Sequence, residues 1–222
     1  MSLPNYMVNF FLFYLLEERG KMKKIFIDTE TTGLNYRKHD ILQLSMLIEI
    51  DGDITKEFNE YSQPFHYDTI EEKSLKKNNL SIEQIKTFQT PKEMFDKFAS
   101  TMKNSGIDRY NKDDKAVLIG YNIDFDFEFL RRFLYLNDYM FVSKEGKKRD
   151  VIDCYVNKYA IIDVLPLIRW AKHTGNIDVP NCKLETITKY FNIEHNPHNS
   201  LSDIKATREL YKICLDKFSW KK

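Results

Sequence analysis

Apolar and polar positions follow two rhythms along this chain. Residues 24–28 (KIFID) form a short apolar run that ends in an acid, residues 41–50 a longer one, and residues 54–61 a third after Asp51-Gly52. An Asp-Gly pair between two such runs predicts a tight hairpin. The first three strands are therefore expected to form a meander, the first pairing with the second and the second with the third. The rhythm then changes. Ser81-Ile-Glu-Gln84 and Thr90-Pro-Lys-Glu93 both have capping-box spacing, the latter with Pro at the first helical position. It leads into Phe95, Phe98, Ala99 and Met102, an apolar stripe at helical spacing. A buried strand over 116–121 and a helix over 124–136 follow, the helix carrying Phe125, Phe129, Leu130, Phe133 and Leu134. Further on, a strand is expected over 160–163 and helices over 165–172, 184–191 and 201–218. Strands first and alternating helices later predict an α/β chain: a single domain with a mixed sheet flanked by helices.

Length and composition narrow this. At about 150 residues per domain, 222 residues suit one domain, and no repeat, low-complexity block or Gly/Pro/Ser-rich linker divides it. With 34 Lys and Arg against 33 Asp and Glu, the net charge of +1 excludes a strongly basic nucleic-acid clamp but not a local site. A 42% hydrophobic and 14% aromatic content excludes disorder. Cys154, Cys182 and Cys214 form no CxxC pair, so neither a disulfide framework nor a thiolate zinc site is expected, and reduced thiols in a cytoplasmic protein are. The apolar run over 6–16 is too short for the roughly 20 residues of a spanning helix, and its lysines follow it, so neither a membrane segment nor a signal peptide is expected. Residues 1–21 are read as an N-terminal extension, a helix or a non-native leader, and 22–222 as the domain.

The chemistry lies in acids placed where acids are expensive. Asp28 and Glu30 end the first strand two residues apart, so both point to one face. Asp126 falls on the same helical face as Phe129, Leu130 and Phe133. Asp203, at the start of the last helix, shares a face with Ala206, Thr207, Leu210 and Cys214. A solvated strand end and two helix caps are the bland alternative. Taken together, inward acids in the first turns of two helices beside a DxE strand, with no Lys or Arg on those faces, suggest divalent metal ions. Oxygen-only ligation favours Mg²⁺ or Mn²⁺ over Zn²⁺. Among the histidines, His39, His66 and His173 are expected at the surface. His195 and His198 flank Pro197 just before the Asp203 helix, and spacing alone does not choose between them as a base.

In order, these residues resemble the DEDD superfamily of 3′–5′ exonucleases, in its branch with a histidine base. Phe26-Ile-Asp28-Thr-Glu30-Thr-Thr-Gly33-Leu34 resembles the first motif of that family. Gly120-Tyr-Asn122-Ile-Asp-Phe125-Asp126-Phe-Glu-Phe129-Leu130 resembles the second, and His198-Asn-Ser-Leu-Ser-Asp203 the third. Ile162-Asp163-Val164-Leu165 and Lys183-Leu184-Glu185-Thr186-Ile187 are similar to lesser signatures. The third motif selects His198 over His195, and Asn199 stands where the sister branch has Tyr. Tyr121 and Ser200 depart from the usual His and Ala. The 140–159 stretch, with Lys144, Lys147, Lys148 and Arg149, is longer than usual and is expected as solvated surface, with a substrate-handling loop as the alternative.

The resemblance implies a ribonuclease H-like fold and hydrolysis of a terminal phosphodiester with release of 5′-mononucleotides. It implies that Asp28, Glu30, Asp126 and Asp203 hold two divalent ions, Mg²⁺ or Mn²⁺, and that His198 is the general base. Thr31, Thr32 and Gly33 are implied to let backbone approach the last nucleotide, Leu34 to wedge against its base, and Asn122 to orient the site. Thr31-Thr32 after the acid is closer to polymerase III epsilon-type proofreading domains than to oligoribonucleases. The expected substrate is therefore the 3′ end of single-stranded or frayed DNA, with a DNA polymerase as a candidate partner. Trimming of RNA 3′ ends is the enzymatic alternative, and an inactive polymerase-associated or nucleic-acid-binding module the other.

Overall fold

Asp51 and Gly52 both take positive φ, 55° and 91°, so the first hairpin turns where the Asp-Gly pair stands. The structure is a computed structural model describing residues 22–111, 113–138, 140–142, 148–150 and 152–218. The hairpin joins β2 (Ile41–Ile50) to β3 (Asp53–Tyr61), and β1 (Lys23–Thr31) pairs antiparallel with β2, giving the predicted meander. Two parallel strands, β4 (Ala116–Gly120) and β7 (Val156–Asp163), complete a five-stranded sheet ordered β3-β2-β1-β4-β7.

Between the strands run α1 (Glu72–Lys77), α2 (Ile82–Ile85), α3 (Pro91–Lys103) and α4 (Ile123–Leu136). After them come α5 (Ile152–Tyr155), α6 (Val164–His173), α7 (Leu184–Tyr190) and α8 (Ser200–Phe218). Both predicted capping boxes form: Ser81 and Thr90 accept from Gln84 and Glu93 amides, and those side chains bond back to the cap amides. Helix α1 is not foreseen, because it buries only Leu75 and so has no apolar period to read. Within the 140–159 stretch, a small hairpin of β5 (Met140–Val142) and β6 (Lys148–Asp150) precedes α5. Lys144, Lys147 and the 1–21 extension lie outside the described residues.

Strand alternation sorts the core into two layers. Ile25 and Ile27 of β1 join Met46, Phe98, Phe129 and Phe133 on the side of α3 and α4. Phe26, with Leu47, Ile119, Ile168, Leu210 and Tyr211, packs on the opposite side, under α6 and α8. A buried ionic clasp ties α8 to the hairpin: Glu49 accepts from Lys24 at 3.1 Å and from Arg208 at 2.6 Å, while Arg208 also donates to the Gly52 carbonyl. Burial works against the Glu49 carboxylate, but its two cations hold its pKa below the usual range. The three cysteines are free, and no helix among the described residues is long and apolar enough to cross a membrane.

Phe98 is fully buried and meets Phe58 edge-to-face at 6.2 Å. Phe98→Ala is expected to cost about 3–5 kcal/mol of unfolding free energy, measured by denaturant titration.

Candidate active site

The parallel strands β1 and β4 deliver their carboxyl ends to the same edge of the sheet, and the chemistry collects there. Asp28 follows Phe26 in parity and so faces the α8 side, where the Ser200 hydroxyl donates to its carbonyl at 2.9 Å. Glu30 shares that face. Helix α8, started by Asn199 accepting from the Ser202 amide at 3.0 Å, sets Asp203 in its first turn opposite them. Carboxylate oxygens of Asp28, Glu30 and Asp203 lie within 4.8 Å of one another.

Asp126 is buried with Phe129, Leu130 and Phe133, as its spacing predicts, but α4 packs on the opposite face of the sheet. It reaches β1 at Thr29, whose amide and hydroxyl donate to Asp126 Oδ1 at 2.9 and 2.7 Å. Asp126 therefore stands outside the three-acid group among the described residues, although its charge acts on Asp28.

The two histidines separate. His195 Nε2 lies 2.5 Å from Asp203 Oδ1, and its Nδ1 lies 3.0 Å from the Thr188 hydroxyl. The same hydroxyl also donates to the Glu185 carbonyl at 3.0 Å. Both ring nitrogens of His195 therefore have a hydrogen-bond partner. His198, at φ 65°, lines the same cavity without such a contact among the described residues.

That cavity, of about 810 Å³, is lined by Asp28, Asp203, His195, His198, Asn122 and Lys77, among others. Asn122 adopts the left-handed conformation (φ 67°, ψ 45°) that Asn tolerates, and its amide donates to Asp163 Oδ1 at 2.8 Å. Thr31, Thr32, Gly33 and Leu34 do not line it. The Thr31 hydroxyl donates to the Gly33 carbonyl, and Thr32 exchanges bonds with the Asp40 backbone. Leu34 is 75% exposed.

His39 corrects its expectation of surface exposure. It is buried, accepts from the Asn35 amide at 3.0 Å, and occupies the space beside Gly33, where a Cβ would come within 2.4 Å of its ring. Gly33 is thus required by the His39 ring packed against it. His66 is half-buried, its amide donating to Asp40 at 2.7 Å, and His173 is exposed as expected. Lys77, Arg169 and Lys183 also reach the cavity, which sequence reasoning missed: none shares an element face with the acids.

Unlike Glu49, Asp28 and Glu30 have no Lys or Arg in contact among the described residues. Burial first, then Asp126, Asp203 and Glu30, push the Asp28 carboxyl well above its ordinary range. Burial, together with Asp203, raises Glu30 to about 7, with Lys77 pulling the other way. Burial raises Asp126 to about 7 despite the Thr29 hydrogen bonds, and raises Asp203 despite His195. Asp28 Oδ2 is buried with no hydrogen-bond partner. An orphaned carboxylate oxygen among like charges, with only oxygen donors around it, fits a hard divalent cation.

These raised pKa values stabilise the metal-free fold below the unfolded values near 4, and the benefit disappears as pH rises through about 7. Metal-free protein is expected to melt lower at pH 8 than at pH 5.5 in a thermal scan, with Mn²⁺ restoring the loss. Asp28→Asn should raise the metal-free melting temperature at pH 8 and weaken the response to Mn²⁺.

The chain is 24% identical over 195 residues to a PolC-type DNA polymerase III of Pediococcus pentosaceus, covering 87% of this chain and 11% of that one. It is 33% identical over 132 residues to exodeoxyribonuclease I of Buchnera aphidicola, covering 53% of this chain and 31% of that protein. Its fold matches E. coli exonuclease I in complex with a dT13 oligonucleotide, with a TM-score of 0.67 and 19% identity over 87% of this chain and 41% of that one. The chain thus spans less than half the length of each. The mixed sheet flanked by helices is the ribonuclease H-like fold of these nucleases. A sequence profile of the exonuclease family matches residues 25–211, a span that holds all four acids and both histidines. The chain belongs to that exonuclease family.

Proposed function

We propose that this chain is a 3′–5′ exonuclease that removes 5′-mononucleotides from single-stranded or frayed DNA, with two divalent ions and His198 as general base. One observation carries the reading: the buried, unpartnered Asp28 oxygen within the group of Asp28, Glu30 and Asp203. The names of the relatives, a deoxyribonuclease and PolC-type polymerases, support DNA over RNA and a polymerase as a candidate partner.

In this reading Asp28, Glu30 and Asp203, with Asp126 through its second oxygen, would hold the ions, and the all-oxygen set favours Mg²⁺ or Mn²⁺. Bound there, such ions supply the positive charge that a phosphodiester and its departing 3′ oxygen require. The remaining work belongs to side chains. His195 already has partners at both ring nitrogens, Asp203 and Thr188. His198 is the cavity histidine left to accept the proton of the attacking water. His195 instead holds Asp203 in orientation. Asn122, its backbone amide held by Asp163, lines the cavity, where it would orient the strand end. Leu34 projects from a loop clamped by Thr32 and His39, where it can wedge against the terminal base.

The test is digestion of a 5′-labelled single strand, DNA and matched RNA in parallel, with Mg²⁺ or Mn²⁺. Stepwise shortening of DNA, abolished by EDTA, is expected; turnover without metal contradicts the reading, and preference for RNA replaces its substrate. His198→Ala is expected to slow the reaction by about 10²–10⁴-fold, the range for a lost general base. Wild-type turnover in that variant removes His198 from the role. Asp203→Ala should abolish activity with the fold retained by circular dichroism.

A further inference from the structure

Helix α1 has little of its own to hold it, yet it is braced against the catalytic strand at both ends. The Glu71 amide, just before it, donates to the Thr32 carbonyl at 2.8 Å, and the Asn78 side chain, just after it, donates to the Thr31 carbonyl at 3.4 Å. Between these bonds Leu75 packs with Leu42 and Ile85. The Glu71 carboxylate lies 3.4 Å from His39, the ring that fills the space beside Gly33. The helix is thereby fixed to the two residues that follow Glu30. Its last residue, Lys77, reaches the cavity lined by Asp28, Asp203 and His198.

The Lys77 side chain is unusual in what it does not touch. Among the described residues it makes no hydrogen bond and no ion pair within 4.0 Å. Its charge is nevertheless felt at Glu30 and at Asp203, where it opposes the effect of burial. A lysine serving only to neutralise the acids would rest on one of them, as Lys24 rests on Glu49 at 3.1 Å. Lys77 stands off, leaving room between its ammonium and the carboxylates. An anion seated over those acids would share the cavity that this cation lines. An ammonium on a flexible stem, with three donors and no fixed plane, suits a single phosphate oxygen.

We propose that Lys77 contacts the substrate, its ammonium holding a non-bridging oxygen of the terminal phosphodiester over the acid cluster. This rests on the exonuclease reading above and adds to it the residue that grips the scissile linkage from the side of α1. Lys77 is then specificity-determining for charge at that one linkage, while the bonds that fix α1 come from its neighbours and survive its replacement.

The experiment compares wild type, Lys77→Gln and Lys77→Arg in Ca²⁺, by fluorescence anisotropy, on two labelled DNA single strands. One carries natural linkages throughout; the other has a neutral methylphosphonate at its last 3′ linkage. Lys77→Gln should weaken binding of the natural strand by about tenfold, the size of one charge-assisted hydrogen bond. It should leave the methylphosphonate strand within about twofold, and Lys77→Arg should recover most of the loss. Mn²⁺ affinity, read by calorimetry without DNA, should be unchanged or higher in Lys77→Gln, since a nearby positive charge has gone. Equal loss on both strands, no loss on either, or weaker Mn²⁺ binding overturns the proposal. Wild type that fails to shorten the natural strand in Mg²⁺ or Mn²⁺ overturns the exonuclease reading and this contact with it. Wild type that shortens the strand while Lys77→Gln binds normally removes the contact alone.

Discussion

Like charges crowded out of water set the terms for the rest of this structure. The protein solves the problem of a buried carboxylate in two ways. At Glu49 two cations in contact stabilise the ionised form, and the result is a structural clasp between α8 and the hairpin. At Asp28 no such cation is in contact, one oxygen has no partner, and three neighbouring acids make its ionisation harder still. A fold gains nothing in stability from that second arrangement. It is the kind of local cost that persists where function requires it, and a divalent cation is the species that turns the repulsion into ligation.

The scaffold is arranged around this cost. Strand β1 is the pivot: its even positions send Asp28 and Glu30 toward α8, and its odd position Thr29 anchors Asp126 from the opposite layer. The two core layers meet at the carboxyl end of one strand, so packing on either side of the sheet positions a different acid. The surrounding hydrogen bonds lock orientation rather than charge. Ser200 holds the Asp28 backbone, Asp163 holds Asn122, and the Thr188–His195 pair holds Asp203.

Much of this was legible in the residue order, and the limits follow a physical rule. Strand parity placed Asp28 and Glu30 on one face, and helical spacing buried Asp126 and turned Asp203 inward, because these depend on one element at a time. The Asp-Gly turn and both capping boxes are equally local. What escaped reading depends on contacts between elements. That Asp126 approaches from the far layer and is tied to Thr29 follows from tertiary packing, as does the capture of His195 by Asp203 eight residues away in sequence. His39 read as a loop residue because its burial depends on the absent side chain of Gly33. Helix α1 has no apolar period, so neither it nor Lys77 announced itself.

The central claim is that Asp28, Glu30 and Asp203 converge in order to hold metal. The most direct measurement is an anomalous difference map from a crystal grown with Mn²⁺. The account predicts manganese peaks coordinated by these carboxylates, one of them bonded by the Asp28 oxygen that otherwise has no partner. A map in which the acids adopt the same positions at full Mn²⁺ occupancy elsewhere, with no peak among them, contradicts it.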